Sequence, residues 1–113
     1  MTVVDERTGT VAVCPVDRLI PGRGVAALLP DGRQVAIFRT GDELYSLSNV
    51  DPFSRAAVLS RGITGDADGV PFVASPIFKQ RFDLRTGVCL DDESVVLRTY
   101  PVEVVDGVVH IRP

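Results

Sequence analysis

Residues 100–113, "YPVEVVDGVVHIRP", place Asp106-Gly107 between two runs of β-branched residues. That pattern points to a tight β-hairpin, because both central residues of such a turn need positive φ and Asp and Gly tolerate it. Val102, Val104, Val108 and His110 alternate with their neighbours, as a half-buried antiparallel pair requires. The same grammar recurs upstream. "TVAV" (10–13), "GVAALL" (24–29), "RQVAIFRT" (33–40), "ELYSLS" (43–48), "VPFVAS" (70–75) and "QRFDL" (80–84) read as strands, with turns at Asp31-Gly32, Gly41-Asp42 and Thr86-Gly87. In "ELYSLS" the alternation is imperfect, since Leu44 and Leu47 flank Tyr45. Helical three-four spacing is nearly absent, so the chain reads as all-β and antiparallel. The longest stretch without strand character runs from Asn49 to about Val70 and includes the turn-rich "TGDADG". Long loops inside small domains usually carry function or cover something.

Residues 1–113 suit one domain, and 45% hydrophobic against 24% charged residues gives enough apolar surface for a core. A net charge of −3 without any run of Lys and Arg argues against a nucleic-acid partner. "MTVVDERTGT" lacks the basic and apolar regions of a leader, and no segment approaches the roughly 18 apolar residues of a membrane span. A cytoplasmic chain is expected. Cys14 and Cys89 sit in separate strand-like stretches; they read as small buried apolar residues, with a Cys14–Cys89 disulfide as the alternative.

Chemistry-bearing patterns are sparse. Cys14, Cys89 and His110 are the only soft or imidazole ligands, and they lack the paired spacing of a metal site. A nucleophile would need His110 beside Cys14, Cys89 or a loop Ser, which nothing in the sequence arranges. The carboxylates at Asp66, Asp68, Asp91, Asp92 and Glu93 fall in polar turns, and "PGRG" and "DADG" lack the strand and helix of a phosphate loop. No catalytic, cofactor-binding or metal-binding residue is expected in this chain.

Two longer stretches carry more information: "NVDPFSRAAVLSRG" (49–62) and "VASPIFKQRFDLRTG" (73–87). They resemble the cluster-binding loops of Rieske ferredoxin domains, where Cys-x-His and Cys-x-x-His hold a 2Fe-2S cluster. On that frame Asp51 and Phe53 stand at the first Cys and His positions, and Ser75 and Phe78 at the second pair. All four ligands are replaced, while Pro52, Pro76 and "FDLRTG" (82–87) keep the frame. With "VAIFR", "GVCLDD" and "YPVEVVDG", the pattern resembles the small subunit of NAD(P)H-dependent assimilatory nitrite reductase, a Rieske-like domain without the cluster.

The resemblance implies a Rieske-like antiparallel β-sandwich or meander with a two-loop former cluster-binding subdomain. It also implies a cofactorless accessory subunit whose large partner carries FAD, an iron–sulfur cluster and sirohaem and reduces nitrite to ammonium with NAD(P)H in nitrate assimilation. The alternative is a free-standing, ferredoxin-derived binding or electron-transfer module. Phe53 and Phe78 have two readings: rings meeting across the vacated space, or exposed anchors for the partner with Arg55, Lys79 and Arg81 as a basic rim. Asp51 and Ser75 are expected to cap loop amides, because buried polar groups need partners.

Overall fold

Val35, Ala36, Ile37 and Phe38 are consecutive, and none exposes any surface. Strand side chains alternate between faces, so such a run demands a sheet covered on both sides. The computed structural model, which describes residues 3–5 and 9–113, has that sheet at its centre. Residues 1, 2 and 6–8, part of the stretch read as leaderless, lie outside the described residues.

In chain order the strands are β1 (Val3–Asp5), β2 (Thr10–Pro15), β3 (Val25–Leu28), β4 (Gln34–Thr40), β5 (Glu43–Ser48) and β6 (Ile63–Ala67), followed by β7 (Val70–Ala74), β8 (Arg81–Asp83), β9 (Thr99–Tyr100), β10 (Val102–Val105) and β11 (Val108–Ile111). They form an outer sheet β1-β2-β11-β10, a central sheet β3-β4-β5-β9 and a third sheet β6-β7-β8. Every strand pairing is antiparallel. Single 3-10 turns at Val16–Arg18 and Leu59–Arg61 are the only helical segments among the described residues, none of them long enough to cross a membrane. The fold is all-β and antiparallel, as the sequence pattern predicts.

Two hydrophobic cores flank the central sheet. Val35 and Ile37 face Val11, Val109 and Ile111 of the outer sheet. Ala36, Phe38 and Leu47 face Val73 and Phe82 of the third sheet, together with Leu59, Leu84, Cys89 and Leu97. This explains the imperfect pattern of "ELYSLS": Leu44 serves one core while Tyr45 and Leu47 serve the other.

Three sequence expectations change. Asp106-Gly107 is the two-residue turn expected, with φ of 51° and 77°. At Asp31-Gly32, however, only Gly32 has positive φ, and the Gly32 amide donates to Leu29 O at 2.9 Å. Pro30 presets the first turn position, so the loop takes three residues rather than two. The stretch 49–70 holds a strand, β6, whose pairing with β7 runs through Gly65↔Phe72. A β-carbon on Gly65 would lie 2.5 Å from the Phe72 ring, so its glycine serves packing, not a turn. In the final hairpin, Val104 and Val105 on the edge strand are exposed while Val109, His110 and Ile111 are all buried. The register shift between Val109 and His110 interrupts the period of two. His110 pairs through Nδ1 with the Thr10 hydroxyl at 3.0 Å. Cys14 and Cys89 are both free thiols; the disulfide alternative fails because Cys89 belongs to the core on one side of the central sheet and Cys14 packs at the edge of the other.

Gly87 is the tightest point of the third sheet's surroundings. Its φ is +81°, and an added β-carbon would lie 2.1 Å from the Leu97 carbonyl oxygen. Gly87→Ala is therefore expected to lower stability by at least about 2 kcal/mol, measured as a shifted urea midpoint at unchanged slope; an unaltered midpoint would contradict this close approach.

Candidate functional site: two loops joined by Asp51 and Ser75

The two Rieske-like loops share one backbone geometry. In the first, the Asp51 amide donates to Ala56 O at 2.9 Å and the Arg55 amide to Asp51 O at 2.7 Å. In the second, the Ser75 amide donates to Gln80 O at 2.9 Å and the Lys79 amide to Ser75 O at 3.1 Å. Each leading side chain also accepts from the amide two residues on: Phe53 N to Asp51 Oδ1 at 2.9 Å, and Ile77 N to Ser75 Oγ at 3.2 Å. These are the local turns that short oxygen-bearing side chains favour. Arg55 and Lys79 occupy the left-handed region, with φ of 64° and 66°. The turn after β8 repeats the pattern, from Asp83 N to Val88 O and from Gly87 N to Asp83 O, with Gly87 in the left-handed position.

Asp51 and Ser75 also bond to each other. Both are fully buried, and the Ser75 hydroxyl donates to Asp51 Oδ2 at 2.6 Å. The residues at the two Cys positions thus close a direct clasp between loops. Their expected capping role is present, and the cross-loop bond is an addition that the sequence did not reveal. Burial alone would push the Asp51 carboxyl up, but the Ser75 hydroxyl, the Phe53 amide and Ser54 together hold it below the usual carboxylate range. Asn49, also unremarked in the sequence, secures the first loop from behind: its side-chain oxygen accepts from Ser60 N at 2.7 Å, and its backbone bonds Gln34 and Leu59.

At the two His positions the rings part company. Phe53 turns inward against the core and meets Phe82, with centroids 6.3 Å apart and planes tilted by 43°. Phe78 is 56% exposed, beside the exposed Ile77. The ring-to-ring contact expected between Phe53 and Phe78 is thus replaced by Phe53–Phe82, because Phe82 on β8 offers Phe53 a partner already inside the core. Arg81 is bound by Asp91 through two contacts of 2.9 and 3.3 Å and lies over Phe72, so its charge is locally neutralised. Arg55 and Lys79 are exposed and have no ion-pair partner among the described residues.

The side chains present do not fit a 2Fe-2S cluster. Such a cluster takes thiolates and imidazoles, whereas Phe53 and Phe78 have no donor atom and the Ser75 and Asp51 oxygens are spent on each other and on loop amides. Cys14 and His110 belong to the outer sheet, Cys89 sits in the core against which Phe53 packs, and no group of three metal-binding side chains occurs among the described residues. The carboxylate clusters are turn and ion-pair residues: Asp91 holds Arg81, and Asp92 bonds Ser94.

The Rieske-like [2Fe-2S] domain family matches residues 10–112. The nitrite reductase (NADH) small subunit of Salmonella typhimurium is 47% identical over 102 residues, spanning 88% of this chain and 94% of that one. The chain belongs to this family of nitrite reductase small subunits. A Mycobacterium tuberculosis crystal structure, described as a candidate NADH-dependent nitrite reductase small subunit, superposes with a TM-score of 0.87 at 48% identity, over 98% of this chain and 95% of the other. In Klebsiella oxytoca an NAD(P)H nitrite reductase large subunit contains a segment 45% identical to this small-subunit chain over 100 residues, covering 88% of it but 10% of that larger protein.

Asp51 has a depressed folded-state pKa, so its stabilising share is complete above the unfolded carboxylate value of about 3.9 and is lost as pH falls through the folded value. Ser75→Ala leaves Asp51 Oδ2 without its hydroxyl donor and is expected to cost about 1.5–3 kcal/mol near neutral pH. Acid titration of stability should also lose steepness below about pH 4 in that variant. A Ser75→Ala protein with the parent's stability and acid limb would show that the clasp contributes nothing.

Proposed function

We propose that this chain is the cofactorless accessory subunit of a cytoplasmic NAD(P)H-dependent nitrite reductase. It binds the large catalytic subunit, whose flavin, iron–sulfur cluster and sirohaem carry out the six-electron reduction of nitrite to ammonium. The observation that carries the cofactorless role is the clasp: the Cys positions hold a bonded Asp51–Ser75 pair and the His positions hold two phenylalanines. Support for the partner comes from the Klebsiella oxytoca protein, in which a similar segment is part of the large chain itself.

The loops then act as a docking surface. Phe78, Ile77, Arg55 and Lys79 present apolar area and unpaired cations on a frame closed by the clasp. A β-carbon in the left-handed region costs on the order of 1 kcal/mol relative to glycine. The Asp83 turn has glycine there, whereas the two Rieske-like loops carry cations, so their side chains are what the strain secures. Phe53 supports this surface from within, and Arg81 holds its edge through Asp91.

Co-expression with the large subunit tests the assignment. The two chains should co-purify, nitrite-dependent NAD(P)H oxidation should require the large subunit, and this chain expressed with ample iron should contain none and lack visible absorption. A cluster-type absorption band with stoichiometric iron would overturn the cofactorless role. Within the complex, Phe78→Ala should weaken association about tenfold or more while leaving stability within about 0.5 kcal/mol of the parent. Phe53→Ala should do the reverse, costing about 2 kcal/mol of stability because its ring is packed on the core.

A further inference from the structure

Beside the first loop, on the edge of the central sheet, lies an open groove of about 480 Å3. Tyr100 of β9 forms its floor, buried except for 6% of its surface. Two guanidinium groups share that ring: Arg33 lies 5.4 Å and Arg98 5.1 Å from its centroid. A guanidinium held over an aromatic ring keeps its in-plane N–H donors available to an anion. Arg33 has a carboxylate partner in Asp31, which lies outside the groove lining. Arg98 has none among the described residues, and no carboxylate lines the groove. A chain of net charge −3 therefore presents one unpaired cation here, Arg98, beside the ion-paired Arg33.

The rim of the groove is apolar. Val96 is 59% exposed and Val50 37%, and Pro52 completes the rim from within the first Rieske-like loop. A small anion would satisfy the floor and leave these lips in water. A polypeptide segment carrying a carboxylate between apolar residues satisfies both. Val50 and Pro52 belong to the same loop as Arg55, so the groove borders the loop that carries one cation of the docking surface.

We propose that this groove receives an acidic, apolar-flanked segment of the large subunit, with its carboxylate held by Arg98 beside Arg33 above the Tyr100 ring. The proposal rests on the large subunit being the partner, and it adds a second contact separate from Phe78.

The test compares Arg98→Glu, Arg98→Lys and Phe78→Ala in titrations of the full-length chain against purified large subunit, with thermal unfolding confirming that each variant is folded. Arg98→Glu should weaken association at least tenfold and lower its salt dependence, and Arg98→Lys, which keeps charge but loses the planar fork, should fall between. Parent-like binding by folded Arg98→Glu would overturn the groove contact; if Phe78→Ala still weakened binding, the docking surface would stand without it. No binding by the parent chain would instead remove the partner assignment on which both depend. Concentration-dependent self-association abolished by Arg98→Glu, with binding to the large subunit unaffected, would identify a second copy as the occupant and likewise overturn the proposal.

Discussion

A sheet buried on both faces is the constraint on which the rest of this molecule depends. The run from Val35 to Phe38 leaves β4 no polar side, so one core must form with the outer sheet and another with the third. At roughly 25 cal/mol per Å2 of apolar surface removed from water, large side chains such as Phe38 and Phe82 are each worth on the order of 2–3 kcal/mol, so neither core is optional. The third sheet is held by this packing. Its position in turn fixes where β7 ends and where Ser75 sits.

The clasp shows how a metal-linked geometry can persist on ordinary side-chain chemistry. A cluster joins two loops by covalent ligation; here one short hydroxyl–carboxylate bond of 2.6 Å, shielded from water, occupies the same pair of positions. A charge-assisted bond in a dry site is stronger than its exposed counterpart, and the Asp51 carboxylate is also satisfied by the Phe53 amide. The aromatic substitutions divide the remaining work unequally. One ring enlarges the core and the other is left facing solvent.

Much of this could be read from the residues. The "VDG" turn, the alternating valines and the "FDLRTG" frame placed most strands and both loops, and the replaced ligand positions stood out against the retained prolines. What escaped is non-local. Phe53 and Phe78 are the same residue type in equivalent loops but stand two and three residues after the leading oxygen, and Phe53 is the one that meets Phe82. The β6 strand hid behind "TGDADG", because a glycine that admits the Phe72 ring looks like a glycine that makes a turn. The Tyr100 groove assembles residues from the start of β4, the first loop and the approach to β9, so no single window of sequence contains it. The Asp51–Ser75 bond escaped for the same reason: each residue had a sufficient local role.

The inward position of Phe53 also bears on descent. The loop turns themselves need only a leading side-chain oxygen and a few local backbone bonds, as the Asp83 copy demonstrates without any ligand ancestry. The loop shape therefore does not depend on ligand side chains. Regaining two cysteines and two histidines would restore the donors, yet it would also withdraw the Phe53 ring from Phe82 and break the buried Asp51–Ser75 pair before iron could compensate. Only the exposed Phe78 can change at little cost; replacing Asp51, Ser75 or Phe53 singly by a ligand residue passes through a less stable chain, so this frame is easier to keep than to metallate.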